Sequence, residues 1–154
     1  MKAKPEDNAD EQNRLESIRI AHSSAAGKLG QPSRTDTMED YLEVIYELIQ
    51  SKGYATTIDI SNYLNVSSPS VTKMVQKLDE MGYLIYEKYR GITLTDEGKA
   101  IAANIRSRHS LLVEFLKIIG VDDAVANMDA EGIEHHLHPQ TLKKLEDFVK
   151  SIKK

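Results

Sequence analysis

Asn65-Val66-Ser67-Ser68-Pro69 separates two short amphipathic stretches, and after Gly82 the apolar period drops from 3.6 to 2. Few folds accommodate that order. Before the break, Ile58 to Leu64 reads as a short helix with an Ile60/Leu64 apolar spacing, and Asn65-Val66 makes a turn. After it, Ser68 is expected as N-cap and Pro69 at N1, where the missing N–H costs nothing. Val71, Met74, Val75 and Leu78 then form the buried stripe of a helix that Gly82 ends. Tyr83-Leu84-Ile85-Tyr86 and Ile92-Thr93-Leu94 read as two strands around a Lys88-Tyr89-Arg90-Gly91 turn.

Helices flank this segment. Thr37 is expected to open one, with Tyr41, Leu42, Ile45, Leu48 and Ile49 at i, i+3, i+4 spacing and Gly53 as its stop. Thr95 is expected to cap a long helix from Asp96 to Ile119, closed by Gly120, with Ile101, Ile105, Leu112, Phe115 or Leu116, and Ile119 inward. Two shorter helices follow, near 122–128 and 130–137, and Pro139 starts a last one carrying Leu142, Leu145, Phe148 and Val149. The order predicts a mainly α fold: an N-terminal winged helix-turn-helix domain with a two-stranded wing, and a C-terminal all-α dimerisation domain. The expected boundaries are 1–36 for a flexible arm, 37–96 for the winged domain, and 97–154 for the linker helix and dimerisation domain. In the arm, Leu15, Ile18 and the Ala21-His22 pair fit one weak amphipathic helix between about 9 and 25; the remainder reads as solvated tail. The C-terminal helices alone are small for a core, so a homodimer is expected to supply the missing burial.

Composition removes several classes. The chain has 154 residues and no cysteine, which excludes disulfide frameworks, thiolate zinc sites, iron–sulfur clusters and cysteine nucleophiles. No apolar run approaches the roughly 20 residues of a membrane span, and the first residues lack a signal-peptide core, so cytoplasmic residence is expected. The net charge of −4 argues against a polybasic nucleic-acid coat, yet the charge is segregated. Glu39, Asp40, Glu43 and Glu47 stand within 37–50 without a base. Asp122, Asp123, Asp129, Glu131 and Glu134 stand within 121–135 without Lys or Arg, and 66–78 carries Lys73 and Lys77 without an acid.

That basic segment coincides with the third helix. Ser68, Pro69, Ser70, Thr72, Lys73, Gln76 and Lys77 give its outer surface hydroxyls, an amide and ammonium groups, the chemistry that reads base edges and phosphates in a major groove. Lys88 and Arg90 at the hairpin tip are placed to reach a minor groove or phosphates. Any surface helix is polar, but an acid-free one at helix-turn-helix spacing in an acidic chain favours double-stranded DNA as partner. One subunit offers few phosphate contacts, so a dimer on a palindromic operator is expected.

The acids form a second constellation. Glu131, Glu134 and His135 stand at i, i+3 and i+4 of one expected helix and share a face. Asp40 and Glu43 are i and i+3 on the first helix, and His109, four residues after Ile105, falls on an apolar stripe. Four carboxylates and two imidazoles without sulfur suit a divalent cation. Each residue also has a plainer reading: a Thr37-x-x-Asp40 capping box, a surface acid at Glu43, a core histidine at His109, and early-turn acids at Glu131 and Glu134 favoured by the helix dipole.

Thr37-Met38-Glu39-Asp40-Tyr41-Leu42-Glu43, Ser70-Val71-Thr72-Lys73-Met74-Val75-Gln76-Lys77-Leu78, Tyr83 through Gly91, and Glu131-Gly132-Ile133-Glu134-His135-His136-Leu137 occur in order. Over about residues 37–138 the chain thereby resembles the manganese-sensing branch of the diphtheria toxin repressor family, which consists of dimeric, metal-activated repressors. The resemblance implies that Asp40, Glu43, His109, Glu131, Glu134 and His135 form a binuclear Mn²⁺ site that joins the DNA-reading and dimer domains. In the iron-sensing branch a Met stands at the position of Asp40 and a Cys at that of Glu131; two carboxylates in their place suit the harder Mn²⁺. The arm before Thr37 is longer than in the shortest members, no SH3-like third domain is expected after Phe148, and His138 matches no family ligand.

The expectation is therefore a manganese-responsive repressor of metal-homeostasis genes, without catalysis and without a membrane or small organic substrate as partner. Response to Fe²⁺, Co²⁺ or Zn²⁺, response to an organic effector with the acids as solvated faces, and a two-metal hydrolase are the competing readings.

Overall fold

The computed structural model describes residues 14–20, 22 and 34–153, with residues 34–37 described by their backbone alone. Residues 14–20 are helical (α1). They are followed by α2 Arg34–Lys52, α3 Thr57–Leu64, α4 Ser68–Glu80, β1 Leu84–Glu87, β2 Gly91–Leu94, α5 Asp96–Ile118, α6 Asp123–Ile133 and α7 Pro139–Ile152. None of the described helices is long and apolar enough to cross a membrane.

The chain forms two compact units that meet between Ala103 and Asn104, inside α5. The expected 96/97 boundary fell at the start of that helix. Its first turns pack with the winged unit because Gly98 passes so close to β1 that a Cβ there would overlap the Tyr83 carbonyl oxygen.

In the first unit, Tyr41, Leu42, Val44, Ile45 and Leu48 of α2 form one core with Ile60, Leu64, Val71, Val75, Leu78, Leu84, Ile92 and Leu94. Leu15 and Ile18 of α1 join it at 4% and 1% exposure. This part of the expected arm is thus a packed helix, because two apolar side chains at i, i+3 find a groove to fill. The rest of residues 1–36 before α2 lies outside the described residues.

Local chemistry explains the element ends. Thr56 caps α3 by accepting from the Asp59 N–H, and Asn65 closes it in the left-handed region at φ 54°. Ser67, rather than the expected Ser68, is the N-cap of α4: its Oγ accepts from the Ser70 N–H, so Pro69 sits one place further in. Either serine has the chemistry, and the extended backbone at Ser67 decides. α2 begins at Arg34, not Thr37, which places Asp40 within the helix and removes the capping-box reading. The strands pair antiparallel with Leu84 opposite Leu94 and Glu87 opposite Gly91. The Thr95 hydroxyl donates to the Gly82 carbonyl at 2.7 Å and accepts from the Gly98 N–H, tying the wing to the start of α5.

In the second unit Ile105, His109 and Leu112 of α5 are buried together with Ala126, Ala130 and Val149. Ile119 is outside the helix and exposed, contrary to expectation. The two helices expected across 122–137 are one helix and a turn; Gly132, near its end, does not interrupt it. Ile119, Val125, Met128, Ile133, Phe148 and Ile152 remain more than a third exposed.

Candidate metal centre and nucleic-acid interface

α6 places Asn127, Glu131 and Glu134 at i, i+4 and i+7, on one face. Glu131 lies in the last turn, Glu134 is the C-cap in helical conformation, and His135 follows in the turn. The sequence placed these acids early in a helix, where the dipole would favour them. At the C-terminus they face its negative end, each at a cost of roughly 0.3–1 kcal/mol. They are also buried, Glu131 at 5% and Glu134 at 0% exposure. Two carboxylates held there call for positive charge.

α5 brings His109 to them, itself 3% exposed. His109 Nδ1 lies 2.8 Å from Glu134 Oε2 and 3.4 Å from Glu131 Oε1. On the other side of the ring, Nε2 is 3.2 Å from Asn127 Oδ1, while Asn127 Nδ2 donates to the Asp123 carbonyl at 2.9 Å. The amide orientation thus makes Oδ1 the acceptor, so Nε2 donates to it, and Nδ1 is the ring atom that faces the two carboxylates. An outer hydrogen bond that orients a ligating imidazole in this way is a regular feature of metal sites. One donor atom from each of His109, Glu131 and Glu134 lies within 4.8 Å of the others. His135 is close by, with Nε2 3.5 Å from Glu134 Oε1. The Arg108 guanidinium meets the Glu134 backbone carbonyl, at 3.5 Å, and not its carboxylate. Oxygen and imidazole donors at this spacing fit a divalent cation of the Mn²⁺ to Zn²⁺ series.

Asp40 and Glu43 belong to the first unit. Both are buried on α2, at 7% and 1% exposure, and Glu47, one turn on, is fully buried as well. Glu43 forms an ion pair with Arg14 of α1. Asp40 Oδ2 lies 3.1 Å from His22 Nε2. The surface-acid reading of Glu43 therefore fails. The i, i+3, i+7 spacing of Asp40, Glu43 and Glu47 was visible in the sequence, but Glu47 had entered only the charge count. Arg14, His22 and Asn127 were missed because their partners are remote in sequence. His138 is exposed at the N-cap of α7, without a side-chain capping bond.

On α4, Val71, Val75 and Leu78 face the core, while Ser68, Pro69, Ser70, Lys73 and Gln76 are exposed, and Thr72 and Lys77 are half-buried. Ser70 Oγ pairs with Ser67 Oγ at 2.8 Å, and Thr72 Oγ1 donates to the Ser68 carbonyl at 3.2 Å, so both hydroxyls have local partners. Lys73, Gln76 and Lys77 keep longer, adaptable polar ends. The wing tip is open: Lys88 and Arg90 are exposed and flank Tyr89, which is 95% exposed with φ 75°. Arg90 sits 3.5 Å from Glu87 in an exposed pair that is worth little and is readily exchanged for a phosphate.

Comparison with known proteins agrees with both halves. Residues 34–92 match the iron dependent repressor N-terminal DNA binding domain, and residues 95–154 match the iron dependent repressor metal binding and dimerisation domain. The HTH-type transcriptional regulators MntR of Bacillus velezensis and Bacillus subtilis are each 55% identical over 115 residues, covering 75% of this chain and 81% of the relative. Among solved structures, the manganese regulator SloR superposes with a TM-score of 0.65 at 29% identity, over 73% of this chain and 53% of that one. The metal-dependent transcriptional regulator MtsR gives 0.66 at 29%, over 75% and 54%. The chain spans about half the length of these solved relatives. With a DNA-binding half, a metal-binding and dimerisation half, and MntR relatives aligned along most of their length, the chain belongs to the diphtheria toxin repressor family of metal-dependent transcriptional regulators, in its MntR branch.

Proposed function

We propose that the protein is a manganese-responsive repressor of metal-homeostasis genes, acting in the cytoplasm as a homodimer on a palindromic operator. The observation that carries this reading is the buried group of His109, Glu131 and Glu134, with the imidazole Nδ1 turned toward two carboxylates at a helix C-terminus. The metal ligands are Asp40, Glu43, His109, Glu131, Glu134 and His135. Four carboxylates, each able to use two oxygens, and two imidazoles are ample for two ions per subunit, and we assign a binuclear Mn²⁺ site. Hard oxygen donors without sulfur suit Mn²⁺, with selectivity against later metals set by geometry and availability rather than affinity. The apolar residues left exposed on the second unit support pairing with a second copy.

Bound Mn²⁺ supplies positive charge and directed coordination to oxygen and nitrogen. The chain's own residues do the rest. Glu131 and Glu134 bring negative charge that the helix end disfavours, so cation binding and the ordered state are linked. Asn127 holds the His109 ring in its ligating orientation. Asp40 and Glu43 sit on α2, whose Val44, Ile45 and Leu48 share a core with Val71, Val75 and Leu78 of α4. Ordering α2 therefore orders the recognition helix, and Ser68, Pro69, Ser70, Thr72, Lys73, Gln76 and Lys77, with Lys88 and Arg90 of the wing, meet the operator. Each factor of ten in operator affinity requires about 1.4 kcal/mol of differential metal binding between the two states.

Fluorescence anisotropy with a palindromic operator, with and without Mn²⁺, tests the reading. Tighter binding in Mn²⁺ is expected, and calorimetry is expected to give two ions per subunit. Equal operator affinity in both conditions refutes the switch, and a single ion refutes the binuclear assignment alone.

A further inference from the structure

We propose that His22 is an additional metal ligand, contributed to a cation at Asp40 from a segment that lies before the matched family domains, which begin at residue 34. The inference rests on the reading that Asp40 binds metal. Leu15 and Ile18 are buried in the core of the first unit, so α1 is an anchored element. One turn after Ile18, the chain sets His22 against α2: the His22 backbone N–H donates to the Ile18 carbonyl at 3.0 Å. The same carbonyl lies 2.9 Å from His22 Nδ1. A carbonyl only accepts, so Nδ1 carries a hydrogen and Nε2 is the ring atom left to bind. This is how ligating imidazoles are commonly oriented, and it repeats what Asn127 does for His109 with the two ring nitrogens exchanged.

Nε2 faces Asp40 Oδ2 at 3.1 Å. Adjacent ligand atoms of an octahedral ion at about 2.1 Å are separated by about 3 Å, so one cation touches both without rearrangement of the backbone. Access differs from that of the neighbouring pair. The His22 and Asp40 side chains are 26% and 10% exposed, whereas Arg14 and Glu43 are 6% and 1% exposed. The anchored segment thus places a donor atom at the accessible carboxylate and a fixed positive charge at the enclosed one. Imidazole nitrogen beside carboxylate oxygen suits Mn²⁺ and its first-row neighbours. The competing account is a proton in place of the metal, which makes the contact an ordinary imidazolium–carboxylate pair.

The chain contains no cysteine, which permits a direct test on the full-length protein. In His22→Cys loaded with Co²⁺, a cobalt–thiolate charge-transfer band is expected that the unsubstituted protein lacks. Bound Co²⁺ without that band overturns the proposal. In His22→Gln, Mn²⁺ affinity by calorimetry is expected to fall at least about tenfold, the loss typical of outer-shell partners, and spin-echo nitrogen modulation from Mn²⁺-bound imidazole to weaken. Unchanged affinity and modulation, with a native helical circular dichroism spectrum, leave only the imidazolium pair. Asp40→Asn separates the two levels. If it leaves Mn²⁺ binding intact, the reading of Asp40 itself fails; if it weakens binding while His22→Gln does not, only the present inference falls.

Discussion

Two groups of buried carboxylates occupy the two units, and their neighbours differ. On α2, Glu43 is paired with the guanidinium of Arg14 in α1 and Asp40 with the imidazole of His22, beyond the end of α1. On α6, Glu131 and Glu134 meet the imidazoles of His109 and His135, in a segment whose sequence from 121 to 135 has no Lys or Arg, at the helix end that disfavours negative charge. The first group meets a guanidinium and an imidazole, and the second brings imidazoles to carboxylates at a helix end that disfavours negative charge. Acid count alone does not reveal a metal site. The informative feature is the convergence of an imidazole nitrogen and two buried carboxylates within 4.8 Å of one another.

The largest expected effect tests the α6 group. Glu134→Ala should abolish the Mn²⁺ enhancement of operator binding, a loss of about 100-fold or more if the enhancement is worth about 3 kcal/mol; anisotropy titrations in Mn²⁺ and in chelator measure it, and a retained enhancement would break the comparison at its stronger side. Its isosteric counterpart Glu134→Gln removes one buried charge with little change of shape. The metal-free midpoint by thermal denaturation should therefore rise by a few degrees. A fall instead would mean that the carboxylate stabilises the metal-free fold.

Next in size is Asn127→Ala, which releases the His109 ring without touching a ligand. Mn²⁺ affinity should drop about 10- to 100-fold by calorimetry, the range for outer-shell partners. No change would show that packing alone orients His109. On the α2 side, Asp40→Met exchanges a hard donor for a thioether. The metals that activate operator binding should shift by about tenfold from Mn²⁺ toward Fe²⁺ or Co²⁺, and an unaltered ranking across a divalent series would separate Asp40 from selectivity.

The smallest effect lies away from both carboxylate groups. Arg90→Ala should weaken operator binding several-fold and lower the slope of log affinity against log salt by about 1, with Mn²⁺ affinity unchanged. An identical salt slope would remove Arg90 from the phosphate contacts and leave Lys88 as the basic end of the wing.

Much of the fold was legible because short-range chemistry decides it. The change of period after Gly82, the proline behind two serines, and Asn65 at a left-handed position mark the winged helix-turn-helix without reference to the rest of the chain. Where two residues offer the same chemistry, the reading slipped by one, as with Ser67 and Ser68. Across 122–137 it slipped further: the break expected near 129 is absent, and one helix runs from Asp123 to Ile133. His109 was legible from its place on an apolar stripe, although the stripe could not say whether it served packing or a ligand. Arg14, His22 and Asn127 carried no such signal: each is defined by a partner at least 18 residues away, at Asp40 for His22 and at His109 for Asn127.

The order of elements, the acid-free recognition helix and the sulfur-free donor set were written in the residues themselves, since hydrophobic period and ligand hardness are local properties of side chains. Folding decided what no spacing encodes: that Glu131 and Glu134 lie buried at a helix C-terminus, that Asn127 and Ile18 each engage one ring nitrogen of a histidine, and that Arg14 stands beside Glu43. Burial removes the solvent that would otherwise screen these charges, and only the packed chain determines which of them are answered from within.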